Sequence, residues 1–440
     1  MGGTFKGGIH PYEGKEWSQD KPTTILLPKG DLVYPMIQHI GSPAKPIVTK
    51  GDRVLVGQKI GEAGGFVSAC VISSVSGTVK AVEPRLTVAG TMVESIVVEN
   101  DNEYATIEGM GTKRDYTKLS KEEIRNFIKE AGIVGMGGAG FPTHIKLTPK
   151  DDTAIKNIIV NGSECEPYLT SDYRMMIEQP DKLIGGLKII LSLFPNAKGI
   201  IAIEDNKPEA IKILKDLVNK EKNITVKVLK TKYPEGAERH LVYATTGKKI
   251  NSTMLPVDVG CIVNNVDTVI SIYMAVAEST PLIRRVLTVG GDAVNDARNF
   301  IVRTGTNYNE LVDAVGGFVE TPEKLISGGP MMGLAIYSLD VPVTKISSAL
   351  LAFKKDEVAE MPQTNCIHCG RCVKACPCLL LPQKMVECAL RFDNEGFEKL
   401  NGMECYECGS CTYVCPAGIP LTQAFKETRR SIFNERKKVK

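Results

Sequence analysis

The sequence predicts a multidomain α/β protein in which a small all-β unit, an alternating strand–helix core, a second small α+β unit and a cysteine-rich domain follow one another. Three observations carry this expectation. The 440 residues are about three times the length of a typical single domain. Short alternating apolar runs between residue 24 and about 110 give way, from residue 156, to apolar strands separated by helix-length amphipathic stretches. Eight of the 13 cysteines fall into two compact runs after residue 361. The units are expected over residues 1–115, 116–280, 281–345 and 346–440.

Composition is that of a globular protein, 43% hydrophobic and 24% charged. A net charge of +3 without a basic face argues against nucleic acid as a partner. The basic stretch 429–440 reads as a solvated helix end, with an anionic partner or membrane surface as the less favoured alternative. The N-terminus has no apolar signal-peptide core, and no window approaches the roughly 18 apolar residues of a spanning helix. The chain is therefore expected to have no transmembrane segment and to be soluble by itself, with its cysteines as thiolates in a reducing compartment rather than as disulfides.

In the first unit the runs TILLP, PIVTK, RVLVGQKI, SACVISSVSGTV and SIVVEN are separated by Gly, Pro and Asp. The segments around Asp52 and Gly77 resemble the barrel-sandwich fold of lipoyl and biotinyl carrier domains. The acceptor lysine of such carriers is missing from 63–70, so the unit is expected to be structural. A helix should begin at Ser120, where Ser120 and Glu123 form a capping-box pattern, and stop at Gly132. Strands are expected at 154–161, 199–205 and 224–230, and helices at about 172–193, 207–220, 235–245 and 265–278. This order implies a mostly parallel sheet. Residues 283 to about 340 read as strand, helix, strand and a Gly-Pro-Met-Met-Gly333 turn.

The first cysteine run is Cys366, Cys369, Cys372 and Cys376 followed by Pro377, and the second is Cys405, Cys408, Cys411 and Cys415 followed by Pro416. In this ferredoxin spacing three thiolates wrap one 4Fe-4S cluster and the fourth reaches the other cluster. Cys366, Cys369, Cys372 and Cys415 are thus expected to hold one cluster, and Cys405, Cys408, Cys411 and Cys376 the second. Zinc is the competing reading, but a zinc ribbon uses two pairs and needs neither a third cysteine at the same spacing nor the Cys-Pro. Cys378, Cys388, Cys70, Cys165 and Cys261 lie outside the pattern and are expected to be buried thiols. The stretch 385–392 looks helical.

The densest glycine cluster is Gly132, Gly135, Gly137, Gly138 and Gly140, followed by Phe141, Pro142 and Lys146. It follows a helix, so it is not the Rossmann fingerprint. Backbone without Cβ atoms can approach a phosphate or a ring, and Lys146 could add positive charge. A flexible interdomain loop is the equally weighted alternative on this segment alone. The strand ending at Asn161, Ser163, Glu164 and Glu166 places polar groups at the carboxyl end of a parallel strand, where ligands of open α/β sheets sit. Tyr233, Glu235, Gly236 and Glu238, and then Asn264, Asn265, Asp267 and Thr268, form two more polar clusters.

These four motifs, in this order, resemble the flavin-binding, NADH-oxidising subunit of respiratory complex I and of related hydrogenases. The resemblance implies a Rossmann-like flavin/NADH core. In it Gly135, Gly137, Gly138, Gly140, Lys146, Asn161, Gly236, Asn264 and Asn265 match positions that cradle FMN, and Phe141, Glu166 and Glu238 match positions facing NAD(H). Glu164 belongs to the same strand-end motif and is carried as a cofactor-binding candidate. The chain departs from that pattern at Met136, where arginine is usual, at Ser163, where aspartate is common, and at Ala237, where glutamate stands.

The whole chain is still more similar to the C subunit family of Rnf electron-transport complexes, through Gly8-Ile9-His10-Pro11, Gln38-His39-Ile40-Gly41, Glu164-Cys165-Glu166-Pro167-Tyr168, the 328–333 turn of a soluble-ligand-binding β-grasp (SLBB) unit, and the doubled cysteine run. That resemblance implies a peripheral subunit on the cytoplasmic side of the membrane. It would bind FMN and two 4Fe-4S clusters, exchange electrons with NADH, and work with membrane-bound Rnf subunits and indirectly with ferredoxin. Two other readings stay open: an iron-sulfur scaffold without flavin, and a soluble flavin-dependent dehydrogenase or hydrogenase subunit.

Overall fold

A computed structural model describes residues 3–438. The all-β unit consists of two small antiparallel sheets. One runs Leu32–Pro35, Met92–Asn100, Gly77–Leu86, Arg53–Val54, and the other Lys45–Pro46, Lys59–Glu62, Val71–Ile72. Alternation sends Leu32, Tyr34, Val54, Ile60, Val79, Ile96 and Val98 into one core between them. This is the barrel-sandwich expected from the sequence.

The helix Lys121–Glu130 begins as predicted. Ser120 Oγ accepts from the Glu123 amide at 3.2 Å, and Glu123 Oε2 accepts from the Ser120 amide at 2.8 Å. It leads into a four-stranded, wholly parallel sheet in the order Ile224–Leu229, Lys198–Glu204, Asn157–Gly162, Cys261–Asn265. Alternate residues face opposite layers. Ile158 and Val160 pack under the helices Pro180–Ser192, Pro208–Val218 and Val266–Ala277, whereas Ile159 packs under Glu238–Thr246. The helix expected over 172–193 is two helices, Ser171–Glu178 and Pro180–Ser192. Proline clashes with an α-helical residue before it, and Gln179 accordingly sits at φ −132°, ψ 43°. The strand Cys261–Asn265 is not evident in the sequence, because its last two residues are asparagines.

The third unit is a six-stranded mixed sheet in the order Thr24–Leu26, Arg298–Arg303, Arg284–Gly290, Ala349–Phe353, Lys324–Ser327, Leu334–Ile336, with the helix Tyr308–Ala314 against it. It therefore extends past residue 345 to take in Ala349–Phe353, and it recruits an edge strand from the N-terminus. Residues 3–26 do not belong to the barrel. They run across the molecule, with Gly3 bridged to Leu229, Ile9 to Tyr233, and the Gly8 amide donating to the Ala375 carbonyl at 2.8 Å. An extended strap of this kind has no periodicity by which a sequence could announce it.

The cysteine-rich domain is built from the short helices Arg371–Ala375, Pro382–Leu390, Asn394–Lys399 and Ser410–Tyr413 and from the long helix Leu421–Lys438, around Met385, Phe397, Phe425 and Ile432. The last two residues of the basic stretch 429–440 lie outside the described residues. Among the described residues no helix is long and apolar enough to cross a membrane.

Candidate functional site

The eight motif cysteines surround two hollows. Cys366, Cys369, Cys372 and Cys415 line one of about 410 Å³, together with Arg371, Gln383 and Ile419. Cys376, Cys405, Cys408 and Cys411 line another of about 340 Å³, together with Tyr406 and Phe425. Cys415 thus lines the hollow of the first motif and Cys376 that of the second, a grouping compatible with exchanged fourth ligands.

Local geometry repeats between the two motifs. His368 and Glu407 adopt φ of 53° and 60°, and Gly370 and Gly409 adopt 72° and 81°, each pair at equivalent positions. The turns aim amides at sulfur: His368 N lies 3.4 Å from Cys366 Sγ, Glu407 N 3.3 Å from Cys405 Sγ, and Leu380 N 3.4 Å from Cys376 Sγ. Hydrogen bonds to ligating sulfurs are one of the levers by which a protein sets a cluster's reduction potential.

A zinc ion would draw four sulfurs to about 2.3 Å from a single point. Here each set of four thiols lines an open hollow. The hollows fit iron-sulfur clusters. Cys378, expected to be a bystander, also lines the second hollow.

The glycine cluster is a loop closed at its neck, where the Gly135 amide donates to the Phe141 carbonyl at 2.9 Å and the Thr143 amide to that of Ile133 at 3.0 Å. Gly137 and Gly138 at its tip are exposed. A Cβ on Gly137 would stand 3.0 Å from Asn265 Cβ, so the close approach of loop to sheet end favours glycine there. Asn265 caps the helix Val266–Ala277 by accepting from the amides of Asp267 (2.8 Å) and Thr268 (3.4 Å), and its amide donates to Asp172 Oδ2 at 2.6 Å. Thr268 Oγ1 in turn accepts from the Met136 amide at 2.9 Å. Lys146 donates to the Val263 carbonyl at 2.9 Å and lies 3.6 Å from Glu238, which is exposed. Asn161 bridges its own strand end to the Gly236 carbonyl at 3.0 Å.

The loop therefore faces the carboxyl ends of the strands carrying Asn161, Asn264 and Asn265. At those ends Ser163 Oγ and Asn264 Nδ2 are buried without a hydrogen-bond partner. Unpaired buried polar atoms are costly, and a polar ligand lying over the strand ends would satisfy them. The cradle fits a flavin nucleotide.

A family model described as the Nuo51 FMN-binding domain matches residues 128–274, one described as the RnfC barrel sandwich hybrid domain matches 3–103, and a 4Fe-4S dicluster domain matches 365–419. The chain is 42% identical over 439 residues to the C subunit of the Na+-translocating ferredoxin:NAD+ oxidoreductase complex of Acetobacterium woodii, covering 99% of this chain and 98% of that one. The chain belongs to the C-subunit family of these ion-translocating complexes. It is also 44% identical to the proton-translocating counterpart of Clostridium ljungdahlii (87% of this chain, 83% of that one) and 39% identical to the C subunit of an ion-translocating oxidoreductase complex of Rhodobacter capsulatus (96% and 82%). In fold it resembles a chain of an NAD+-reducing NiFe hydrogenase, with a TM-score of 0.50 at 16% identity over 73% of this chain and 62% of that one.

In this member of the C-subunit family, not every expected residue opens onto the loop. The Glu164 carboxylate accepts from the amides of Asp172 (2.6 Å) and Tyr173 (3.2 Å), where the helix Ser171–Glu178 begins. Glu166 Oε2 accepts from the Met331 amide at 3.0 Å, and a Cβ on Gly329 would fall 2.2 Å from that oxygen. The Gly-Pro-Met-Met-Gly turn is thus shaped around Glu166, whose pKa burial pushes up to about 7.

Three residues absent from the sequence-based site hold this region. Lys15 donates to the carbonyls of Glu164 (2.9 Å), Glu166 (3.1 Å) and Leu169 (2.6 Å), and Lys207 donates to that of Ser163 at 2.6 Å. Arg285 donates to the Ser347 carbonyl at 2.9 Å, pairs with the buried Asp267 and reaches the Met136 sulfur. No local pattern marks these three side chains, since their partners are distant in the chain.

The nucleotide-binding core and the second hollow are in direct contact. The Tyr233 hydroxyl donates to the Cys408 carbonyl at 2.7 Å and lies 3.5 Å from Glu166 Oε1. Beside it, Arg239 pairs with Glu404 at 2.8 Å, and His240 packs edge-on against Tyr406 with ring centroids 4.9 Å apart. Cys408 and Cys411 are buried, whereas Cys366 and Cys369 of the first hollow are exposed.

Proposed function

We propose that this chain is the peripheral NADH-reacting subunit of an ion-translocating ferredoxin:NAD+ oxidoreductase, and that electrons pass between its nucleotide site and the surface by way of the second cluster and then the first. When bound, FMN would supply hydride acceptance from NADH and one-electron release, with the proton left to solvent, and the 4Fe-4S clusters would supply one-electron transfer. Gly135, Gly137, Gly138, Gly140 and Asn265 would form the flavin cradle, with Asn161, Asn264 and Gly236 at the strand ends. Lys146 would answer the phosphate. Phe141 and Glu238 would face the nicotinamide nucleotide. Glu164 and Glu166 act from behind: one fixes the start of the helix Ser171–Glu178, the other ties the strand end to the 328–333 turn. Lys15 and Lys207 hold the backbone carbonyls inward, so the strand end stays rigid while a ligand is bound and released.

The observation that carries the order is the Tyr233 hydrogen bond to Cys408, which puts the second cluster's ligand loop against the core while the first cluster's cysteines are exposed. The ion-translocating steps belong to the membrane-bound partners, and this subunit would sit on their cytoplasmic side. Anaerobic reconstitution with FMN, iron and sulfide, followed by rapid mixing with NADH, tests the reading. Bleaching of the flavin and then of the cluster absorbance is expected. A protein that takes up iron but binds no flavin and stays unbleached is only a scaffold.

A further inference from the structure

Met136 is buried in the glycine loop at a position where loops of this kind usually carry arginine. A guanidinium reaches it nonetheless, from another unit. Arg285 belongs to the strand Arg284–Gly290 and is itself buried; its Nη2 donates to the Met136 carbonyl at 3.4 Å and its Nε to the Ser347 carbonyl at 2.9 Å. Met136 is also fixed from the other side, where its amide donates to Thr268 Oγ1 at the start of the helix Val266–Ala277. Arg285 therefore grips the loop at the residue before Gly137.

The charge around Arg285 does not balance. The carboxylate it pairs with is Asp267, whose other oxygen pairs with Arg284 at 2.8 Å. The next carboxyl group of the region is Asp172, held by the Asn265 amide at 2.6 Å. Burial, with Glu164 and Asp267 nearby, pushes the Asp172 pKa up to about 8, so at neutral pH this group carries its proton. Glu164 is answered elsewhere, by the amides of Asp172 and Tyr173 and by the charges of Lys15 and Lys207. Two guanidiniums thus share one carboxylate beneath the loop. A buried charge without a partner is costly, and a ligand of opposite charge removes that cost. Lys146 supplies less, because Glu238 lies 3.6 Å from its ammonium and offsets it.

We propose that Arg285 is a positioning residue for the nucleotide, holding the loop at Met136 and supplying from below the positive charge that fits the cradle to a phosphate monoester. The proposal rests on the flavin reading above and deepens it: Arg285 selects the phosphate of the ligand and not its ring. Asp267 keeps Arg284 when Arg285 is replaced, so the substitution leaves no buried carboxylate alone.

The test is equilibrium binding of FMN and of riboflavin, which differ by the phosphate alone, to the full chain prepared anaerobically with its clusters and without flavin. Quenching of flavin fluorescence gives both affinities. The parent should bind FMN at least about tenfold more tightly than riboflavin, and Arg285→Met should weaken FMN at least about tenfold and riboflavin less than about twofold. Arg285→Lys keeps the charge and should keep the preference for FMN. Should Arg285→Met assemble poorly, Arg285→Gln, which can still donate to the Ser347 carbonyl, should show the same loss of preference.

Equal weakening of both flavins in Arg285→Met or Arg285→Gln overturns the proposal, since the side chain would then only shape the cradle. So does an unchanged affinity for FMN, or a preference lost as fully in Arg285→Lys as in Arg285→Met. A parent that binds both flavins alike overturns the proposal and leaves the flavin reading standing, whereas a parent that binds neither overturns both.

Discussion

A buried carboxyl group that no donor answers keeps its proton. Both oxygens of Glu235 are buried without a partner, and burial, with Glu204 nearby, pushes its pKa up from 4.5 to about 8. The folded state therefore holds this proton more tightly than the unfolded chain. The associated stability is complete below about pH 4.5 and is lost as pH rises through 8. Glu235→Gln should gain melting temperature relative to the parent progressively between those values; a constant difference in thermal scans across that range would contradict the assignment. At the second hollow, Cys376 and Cys378 are two residues apart and both line the space. Cys376→Ser should lose about half the iron, since four of eight ligating positions belong to that cluster, while Cys378→Ser should keep all of it. Iron analysis of anaerobically prepared proteins separates the two. The spacing rule made the eight candidate ligands legible because such a motif is written locally, in turns only a few residues long. The partners of Glu166 were not legible: Met331 is 165 positions away and Tyr233 is 67.

Elements whose signals lie within one turn were the readable ones. The capping box at Ser120 and Glu123 appears where the sequence puts it, and the helix Lys121–Glu130 buries Ile124 and Ile128. Ser120→Ala should cost about 1 kcal/mol in urea unfolding, the usual value of a lost N-cap. A cost near zero would mean that packing of Ile124 and Ile128 alone sets the start of the helix. Strands whose apolar pattern is interrupted escaped notice. Cys261–Asn265 spends its last two positions on asparagines, of which Asn265 caps the next helix, so its apolar run is too short to show. The strap 3–26 is a stronger case. It folds by hydrogen bonds to Leu229, Tyr233 and Ala375 and by the edge strand Thr24–Leu26, none of which has a periodic signature. Only tertiary partners define it.

Across the whole molecule the arrangement is directional. The parallel sheet and glycine loop form one site, the second cysteine motif abuts it through Tyr233, Arg239 and His240, and the first motif opens to solvent. The sequence supplied the parts, because resemblance over nearly the full length and two spaced motifs name each of them. It left open which cluster lies nearer the flavin, since the two motifs have the same spacing and their environments come from other units. One measurement addresses this order: freeze-quenched electron paramagnetic resonance of NADH-mixed protein, comparing Cys369→Ala, which removes the first cluster, with Cys408→Ala, which removes the second. The cluster left in Cys369→Ala should be reduced at close to the parent rate, and the cluster left in Cys408→Ala at least about tenfold more slowly, a barrier increase of roughly 1.4 kcal/mol or more. Prompt reduction in Cys408→Ala with slow reduction in Cys369→Ala would contradict the account.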